Sequence, residues 1–132
     1  MIQPQPSSAP PSWWRSFHRY AGAGALGTAL HYLVLLGWLW VAPTAAVAAT
    51  TAGALLGAGA NYWLNHRYSF ASRRAHRTAA PRFAVVAAAG VLLNGLVVAA
   101  LVPSIPVLPA QLSATGAVLL SGFVLNRYWT FA

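Results

Sequence analysis

Four long stretches of the chain contain no arginine, lysine, aspartate or glutamate. They cover residues 20–41, 44–64, 83–102 and 107–125. A helix of roughly 20 residues crosses a hydrocarbon core of about 30 Å, so each stretch is long enough to span a bilayer. Buried helices of a soluble protein would look similar, but charged residues make up only 6 % of this chain, against roughly 25 % in soluble domains. The pattern therefore predicts an all-α integral membrane protein with four transmembrane helices.

The positions of the basic residues predict the orientation of these spans. All eight are arginines, and they precede the first span, separate the second from the third, and follow the fourth. The two remaining loops have none. Because arginine and lysine are enriched in cytoplasmic loops, we expect both termini and the central link to lie in the cytoplasm. Short loops carrying prolines then join the spans into two tandem helical hairpins of the same orientation.

A signature sequence occurs twice, as NYWLNHRYSF at residues 61–70 and as GFVLNRYWTF at residues 122–131. Its alignment pairs Asn65 with Asn126 at an offset of 61 positions, while the upstream segments align at an offset of 63, which pairs Arg19 with Arg82. Internal duplication is common in membrane carriers. We therefore expect a disordered Pro/Ser-rich tail over residues 1–14 and a membrane domain over 15–132, divided into a first repeat (17–70), a basic link (71–81) and a second repeat (82–132).

The residue types that are missing exclude most catalytic chemistry. The chain has no aspartate, glutamate or cysteine, so it cannot supply paired carboxylates, redox thiols or disulfides. Its four histidines have no spacing typical of metal ligands. We expect no catalytic residue, no enzyme activity, no metal and no cofactor. The net charge of +8 lies along one membrane face, where anionic lipids are nearer partners than nucleic acid.

Small and polar residues inside the predicted spans indicate helix contacts. Gly22, Gly24 and Gly27 in the first span, and Gly53 and Gly57 in the second, would let backbones approach closely. A second group of residues forms a predicted polar path through the membrane, namely His31, Asn61 and Asn94. His31 lies twelve residues beyond Arg19, near the bilayer centre at about 1.5 Å per residue. These side chains either bind a passing sugar or form hydrogen bonds between helices.

The two signatures resemble those of the GtrA-like family of small four-span bacterial membrane proteins. The family pattern is close to N-F-x-L-N-R-x-W-x-F after the second span and again near the end, with R-F-x-x-x-G-x-x-x-T opening the first span. The matching residues are Arg19, Tyr20, Gly24, Thr28, Asn65, Arg67, Phe70, Asn126, Arg127, Trp129 and Phe131. The first signature departs from the pattern, with His66 in place of arginine and Tyr68 in place of tryptophan.

This resemblance implies translocation of a polyprenyl-phosphate-linked monosaccharide across the bacterial inner membrane, for cell-surface polysaccharide or cell-wall glycan modification. Membrane glycosyltransferases would be the partners. The alternative is an accessory membrane subunit that anchors or organises such a glycosyltransferase. Four helices form a thin wall around a sugar, so we also expect a homo-oligomer or a complex.

A candidate binding site follows from the chemistry of such a substrate. Arginines form two parallel hydrogen bonds with phosphate, amides bond to phosphate or sugar hydroxyls, and tryptophans stack on sugar rings. The candidate residues are Arg127, Asn126, Arg67, Asn65, Arg19, Arg82, Trp129 and Trp63. Arginine and tryptophan also anchor spans in many membrane proteins, and the two asparagines could instead cap helices or bond between them.

Overall fold

The structure, a computed structural model, describes residues 12–132, with the backbone alone for residues 107 and 108. Four helices follow one another: α1 (Trp13–Val41), α2 (Ala46–Leu64), α3 (His76–Leu101) and α4 (Val107–Leu125). Two of them, α2 and α4, continue into five-residue π-helical turns, Asn65–Ser69 and Asn126–Thr130. The described residues contain no strand. The predicted all-α class is thereby confirmed.

Two of these helices are long and apolar enough to cross a membrane. They are α1, with 29 residues, and α3, with 26. Both α2 and α4 are shorter, with 19 residues each, and α2 contains the polar residues Thr50, Thr51 and Asn61. Length and composition in the described residues thus support two membrane spans, and the prediction of four spans stays a prediction.

The first helix begins earlier than the predicted span and takes in part of the predicted tail. Ser12 caps it, accepting a hydrogen bond at its Oγ from the backbone N–H of Arg15 at 3.4 Å. Trp13 then packs edge-on against Phe123, with 4.9 Å between ring centroids. This contact makes Trp13 and Trp14 helical residues rather than tail residues. The rest of the predicted disordered tail, residues 1–11, lies outside the described residues.

The predicted basic link is also partly helical. Residues 71–75 form the connection, and α3 starts at His76. The backbone of Ala75 is extended (φ −60°, ψ 138°), and its carbonyl accepts bonds from the N–H groups of Thr78 and Ala79. Composition could not distinguish a loop from a surface helix for residues 71–81, and the structure divides them between the two.

The helices pack mainly in two pairs, α1 with α2 and α3 with α4. In the first pair, a Cβ placed on Gly27 would lie 2.6 Å from the carbonyl oxygen of Gly57. A Cβ on Gly53 would lie 2.6 Å from the carbonyl oxygen of His31. These glycines bring two backbones together, as the sequence predicts. Gly22 and Gly24 do not take part, because both face open space.

The two pairs meet at the end that carries the signatures, which we call the signature end. Here the rings of Phe70 and Phe131, which are equivalent in the repeat, stack with centroids 5.1 Å apart. Phe123 is fully buried and contacts the ring of Tyr20 at 5.6 Å. The equivalent pair, Phe83 and Tyr62, has a matching separation of 5.4 Å. Reciprocal aromatic contacts therefore join the two pairs.

Candidate functional site

Each signature asparagine starts a π-helical turn at the signature end. The N–H of Phe70 donates to the carbonyl of Asn65 at 3.0 Å, and the N–H of Phe131 donates to that of Asn126 at 2.9 Å. Both bonds reach back five residues, one more than in an α-helix. Asn65 and Asn126 are both buried, with 0 % and 1 % exposure. Short π-helical segments inside α-helices are frequent at functional sites.

The two asparagine amides have different partners. Asn65 Nδ2 donates to Asn61 Oδ1 at 2.7 Å, but Gly122 replaces Asn61 at the equivalent place in the second repeat. The Tyr20 side chain enters the space left by that replacement, and a Cβ on Gly122 would lie 2.6 Å from its hydroxyl oxygen. Tyr20 has a side-chain hydrogen bond with Asn126. The Asn65 amide is thus bonded to a residue one turn earlier in its own segment, whereas the Asn126 amide is bonded to a residue of α1.

Both asparagines retain an unused acceptor. Among the described residues, Asn65 Oδ1 and Asn126 Oδ1 are buried oxygens with no hydrogen-bond partner. Burying such a group without a partner costs roughly 1–3 kcal/mol. Of the two, Asn126 lines the large cavity described next, whereas Asn65 does not. An acceptor of this kind can bind a ligand that brings a hydroxyl donor.

A cavity of about 490 Å³, which we call the main cavity, lies among α3, α4 and residues of the first helix pair. Most of its wall is apolar. Its polar wall residues are uncharged, and they are Tyr20, Asn61, Asn94, Ser121 and Asn126. Apolar walls with a few placed polar groups are typical of small-molecule sites. The lining includes two of the three residues predicted for a polar path.

The third residue of that predicted path, His31, lies instead in the first helix pair. Its Nε2 pairs with the hydroxyl of Thr50 at 3.4 Å. The equivalent position in the second repeat, Asn94, accepts a bond at Oδ1 from Gln111 Nε2 at 2.8 Å. His31 and Asn94 therefore each have a polar partner on the neighbouring helix. Sequence reasoning missed Thr50 and Gln111, although they share the same 61-residue offset.

Two equivalent arginines, one in the second turn of α1 and one in the second turn of α3, bond to backbone carbonyls of the π turns. Arg19 Nη1 donates to the carbonyl oxygen of Tyr68 at 3.0 Å, and Arg82 Nη1 donates to that of Trp129 at 2.8 Å. The Arg82 guanidinium also lies 5.3 Å from the centroid of the Trp129 ring. Cationic side chains donate hydrogen bonds to the free carbonyl groups at the C-terminal end of a helix and stabilise its partial negative charge. Each bond uses one of the five donors of a guanidinium.

The remaining predicted site residues fall into separate places. The guanidinium carbon of Arg127, which directly follows Asn126, lies 5.8 Å from the ring centroid of Tyr128. Arg67 and Trp63 line a different cavity of about 320 Å³. The structure thus brings Asn126 together with Asn61 and Asn94, but not with Arg67 or Trp63.

The helical fold, the two long apolar helices and the uncharged polar cavity define an all-α membrane protein with a candidate site for a neutral polar group. The family model described as GtrA/DPMS, transmembrane domain, matches residues 19–131, and the chain belongs to this family. The resemblance inferred from the two signatures is therefore confirmed. The family is associated with the handling of lipid-linked sugars. A comparison with curated proteins found no match.

Proposed function

We propose that the protein moves a polyprenyl-phosphate-linked monosaccharide from the inner to the outer leaflet of a bacterial inner membrane. The observation that carries this proposal is that Asn126 lines the main cavity and that its Oδ1 is a buried acceptor without a partner among the described residues. A sugar offers many hydroxyl donors and no charge, which suits a wall whose polar groups are neutral. The role is transport rather than catalysis.

The phosphate of the substrate would stay at the arginine-rich rim. Arg82 bonds to Trp129 in the second π turn, and Arg127 lies in that turn directly after Asn126. Guanidinium groups bind phosphate through parallel charge-assisted hydrogen bonds. The chain has no aspartate or glutamate side chain to compete for them. The polyprenyl tail needs no protein cover, because it is as apolar as the lipid around it. Thus the sugar would enter the main cavity while the phosphate remains at its mouth.

This proposal requires the signature end to face the cytoplasm, where the lipid-linked sugar is made. It includes four membrane spans arranged as two tandem hairpins with both termini cytoplasmic. The chain has no cysteine, so a Ser72→Cys variant would carry a single thiol. Labelling of that thiol in inside-out vesicles, with protection in intact cells against an impermeant maleimide, is the expected result. Labelling in intact cells would contradict the orientation.

A transport assay tests the function itself. Purified protein in liposomes is expected to expose an internal polyprenyl-phosphate sugar to an external, membrane-impermeant probe. The variant Asn126→Ala is expected to lower the rate at least tenfold, as loss of a hydrogen bond to the sugar predicts. Asn65→Ala removes an equivalent buried amide that does not line the main cavity, and it measures the cost of the lost side chain to folding.

The accessory-subunit hypothesis predicts a different outcome of the same experiment. The protein alone would then move no lipid, but would co-purify with a membrane glycosyltransferase and raise its activity. We also propose that the protein works as a homo-oligomer or in a complex with that enzyme, because four helices enclose little space. Native mass spectrometry in mild detergent that finds monomers alone would contradict the oligomer.

A further inference from the structure

A second cavity lies beside the connection between the two repeats, outside the main cavity. It has a volume of about 320 Å³ and is lined by Trp63, His66, Arg67, Ala71, Ser72 and His76. We call it the link cavity. A guanidinium, two imidazoles and a hydroxyl are among its lining groups, and the guanidinium and the hydroxyl can both donate hydrogen bonds. The lining contains no acidic side chain, because the chain has none.

Hydrogen bonds hold both imidazoles of the link cavity in position. His66 Nε2 lies 2.8 Å from the carbonyl oxygen of Arg74, and it must carry a hydrogen because a carbonyl can only accept. His76 Nδ1 lies 2.8 Å from the hydroxyl of Tyr62. The two imidazole rings stack with centroids 4.2 Å apart and 26° between their planes. Both rings are therefore fixed in place before a ligand arrives.

The backbone at this cavity is also unusual. Ala71 has φ of 47°, and it is the one non-glycine residue among those described with a positive φ. Glycine adopts this conformation most readily, because a residue with a Cβ is strained there. The adjacent N–H of Ser72 donates to the carbonyl of His66 at 2.8 Å, which ties the strained turn to the histidine. Strained residues of this kind cluster at ligand sites.

The charge around the link cavity points to an anionic ligand. Five of the eight arginines fall within residues 67–82. No acidic side chain in the chain offsets their positive potential, which favours an anion from outside. The second repeat lacks this arrangement, since Arg127 stands where the first repeat has His66.

We propose that the link cavity is a phosphate-binding site, separate from the main cavity and independent of sugar transport. Arg67 binds the phosphate through charge-assisted hydrogen bonds. His76 donates from Nε2 when Tyr62 donates to its Nδ1, and the His66 ring, whose Nε2–H is bonded to the Arg74 carbonyl, packs beside it. The same chemistry would recognise the headgroup of an anionic phospholipid or a free phosphate. The occupied site lowers the positive charge of the connection between the repeats and holds it in one arrangement.

Titration of the full chain with inorganic phosphate in neutral detergent tests the site. Arg67→Gln is expected to weaken binding at least tenfold. Arg77→Gln is the matched control, because it removes the same charge from the same basic region at a residue outside the cavity lining. Equal weakening by both variants would overturn the proposal, since it would indicate general attraction to a basic surface. The proposal would also be overturned if the unmodified chain, in detergent free of phospholipid, bound no phosphate.

A second measurement needs no variant that could fail to fold. In a chain with ¹⁵N-labelled histidine, phosphate is expected to shift the imidazole signals of His66 and His76, while those of His18 and His31 stay in place. Phosphatidylglycerol in nanodiscs distinguishes the source. If it shifts the same two signals and excludes inorganic phosphate, the ligand is a lipid headgroup, and if it does neither while phosphate binds, the ligand is a free phosphate. Shifts that are equal in all four histidines, or absent with both probes, would overturn the site.

Discussion

The hydroxyl of Tyr20 lies in the space that a side chain at Gly122 would need, and a Cβ there would be 2.6 Å from that oxygen. This contact joins α1 to α4, which belong to different helix pairs. It also leaves Tyr20 beside Asn126, on the wall of the main cavity. Gly122 has no side chain where the first repeat has Asn61, and the Tyr20 side chain of the first repeat occupies that space.

This relationship predicts that Gly122→Ala destabilises the protein. The Tyr20 ring is held between Phe70 and Phe123, so it cannot move away without loss of packing. We expect a loss of about 1–2 kcal/mol in the free energy of unfolding. Gly116→Ala on the same helix meets open space and should be neutral or slightly stabilising. Unfolding in mixed detergent micelles measures both variants.

A double substitution checks the cause. Tyr20→Phe removes the hydroxyl, so Gly122→Ala is expected to cost less in that background than in the unmodified chain. If the cost is the same in both backgrounds, the two residues are not coupled and the account of this contact is wrong.

The close approach of α1 and α2 predicts a larger effect at Gly57. A Cβ there would overlap the carbonyl oxygen of Gly27, and a backbone atom can move only if the helices separate. We expect Gly57→Ala to lower the free energy of unfolding by about 2–3 kcal/mol. Gly59→Ala, which meets open space on the same helix, provides the control. A similar stability for the two variants would show that the helices do not depend on this contact.

The bond from Arg82 to the carbonyl oxygen of Trp129 predicts local order at the second π turn. Without it, the turn loses a partner for one of its terminal carbonyl groups. Arg82→Ala is expected to speed hydrogen exchange several-fold at the amide of Phe131, which closes that turn. Arg77→Ala removes the same charge from the same helix and leaves this bond in place. If the exchange rate of the Phe131 amide is unchanged in Arg82→Ala, Arg82 does not order the turn.

The sequence predicted the all-α class, and the internal repeat predicted which residues of the two halves are equivalent. Because Arg19 aligns with Arg82, the two arginines were expected to play equivalent roles, and they make equivalent bonds. Their predicted phosphate role remains a proposal, because those bonds go to backbone carbonyls. The histidine pair of the link cavity was not anticipated either, since no spacing rule relates His66 to His76.

Other features of the site could not be predicted from the sequence, for physical reasons. A π turn has no composition that distinguishes it from the end of an α-helix, so the burial of Asn65 and Asn126 could not be foreseen. The partners Thr50 and Gln111 could have been found from the 61-residue offset, because each lies opposite a polar residue of the neighbouring helix. The Tyr20 contact with Gly122 depends on how the two helix pairs pack together, which local patterns do not encode.

The most direct test of the account is whether a sugar occupies the main cavity. The chain has no cysteine, so Ser121→Cys places a single thiol on the cavity wall, and Ser113→Cys places one on the same helix outside it. Both serines donate to the carbonyl four residues earlier, which makes the two substitutions well matched. The measurement is the rate at which N-methylmaleimide modifies each thiol in the presence of polyprenyl phosphate with or without its sugar. We predict that the sugar-bearing lipid slows modification at position 121 at least fivefold, while the lipid without sugar has little effect and position 113 does not respond. Equal rates with both lipids at position 121 would contradict the account.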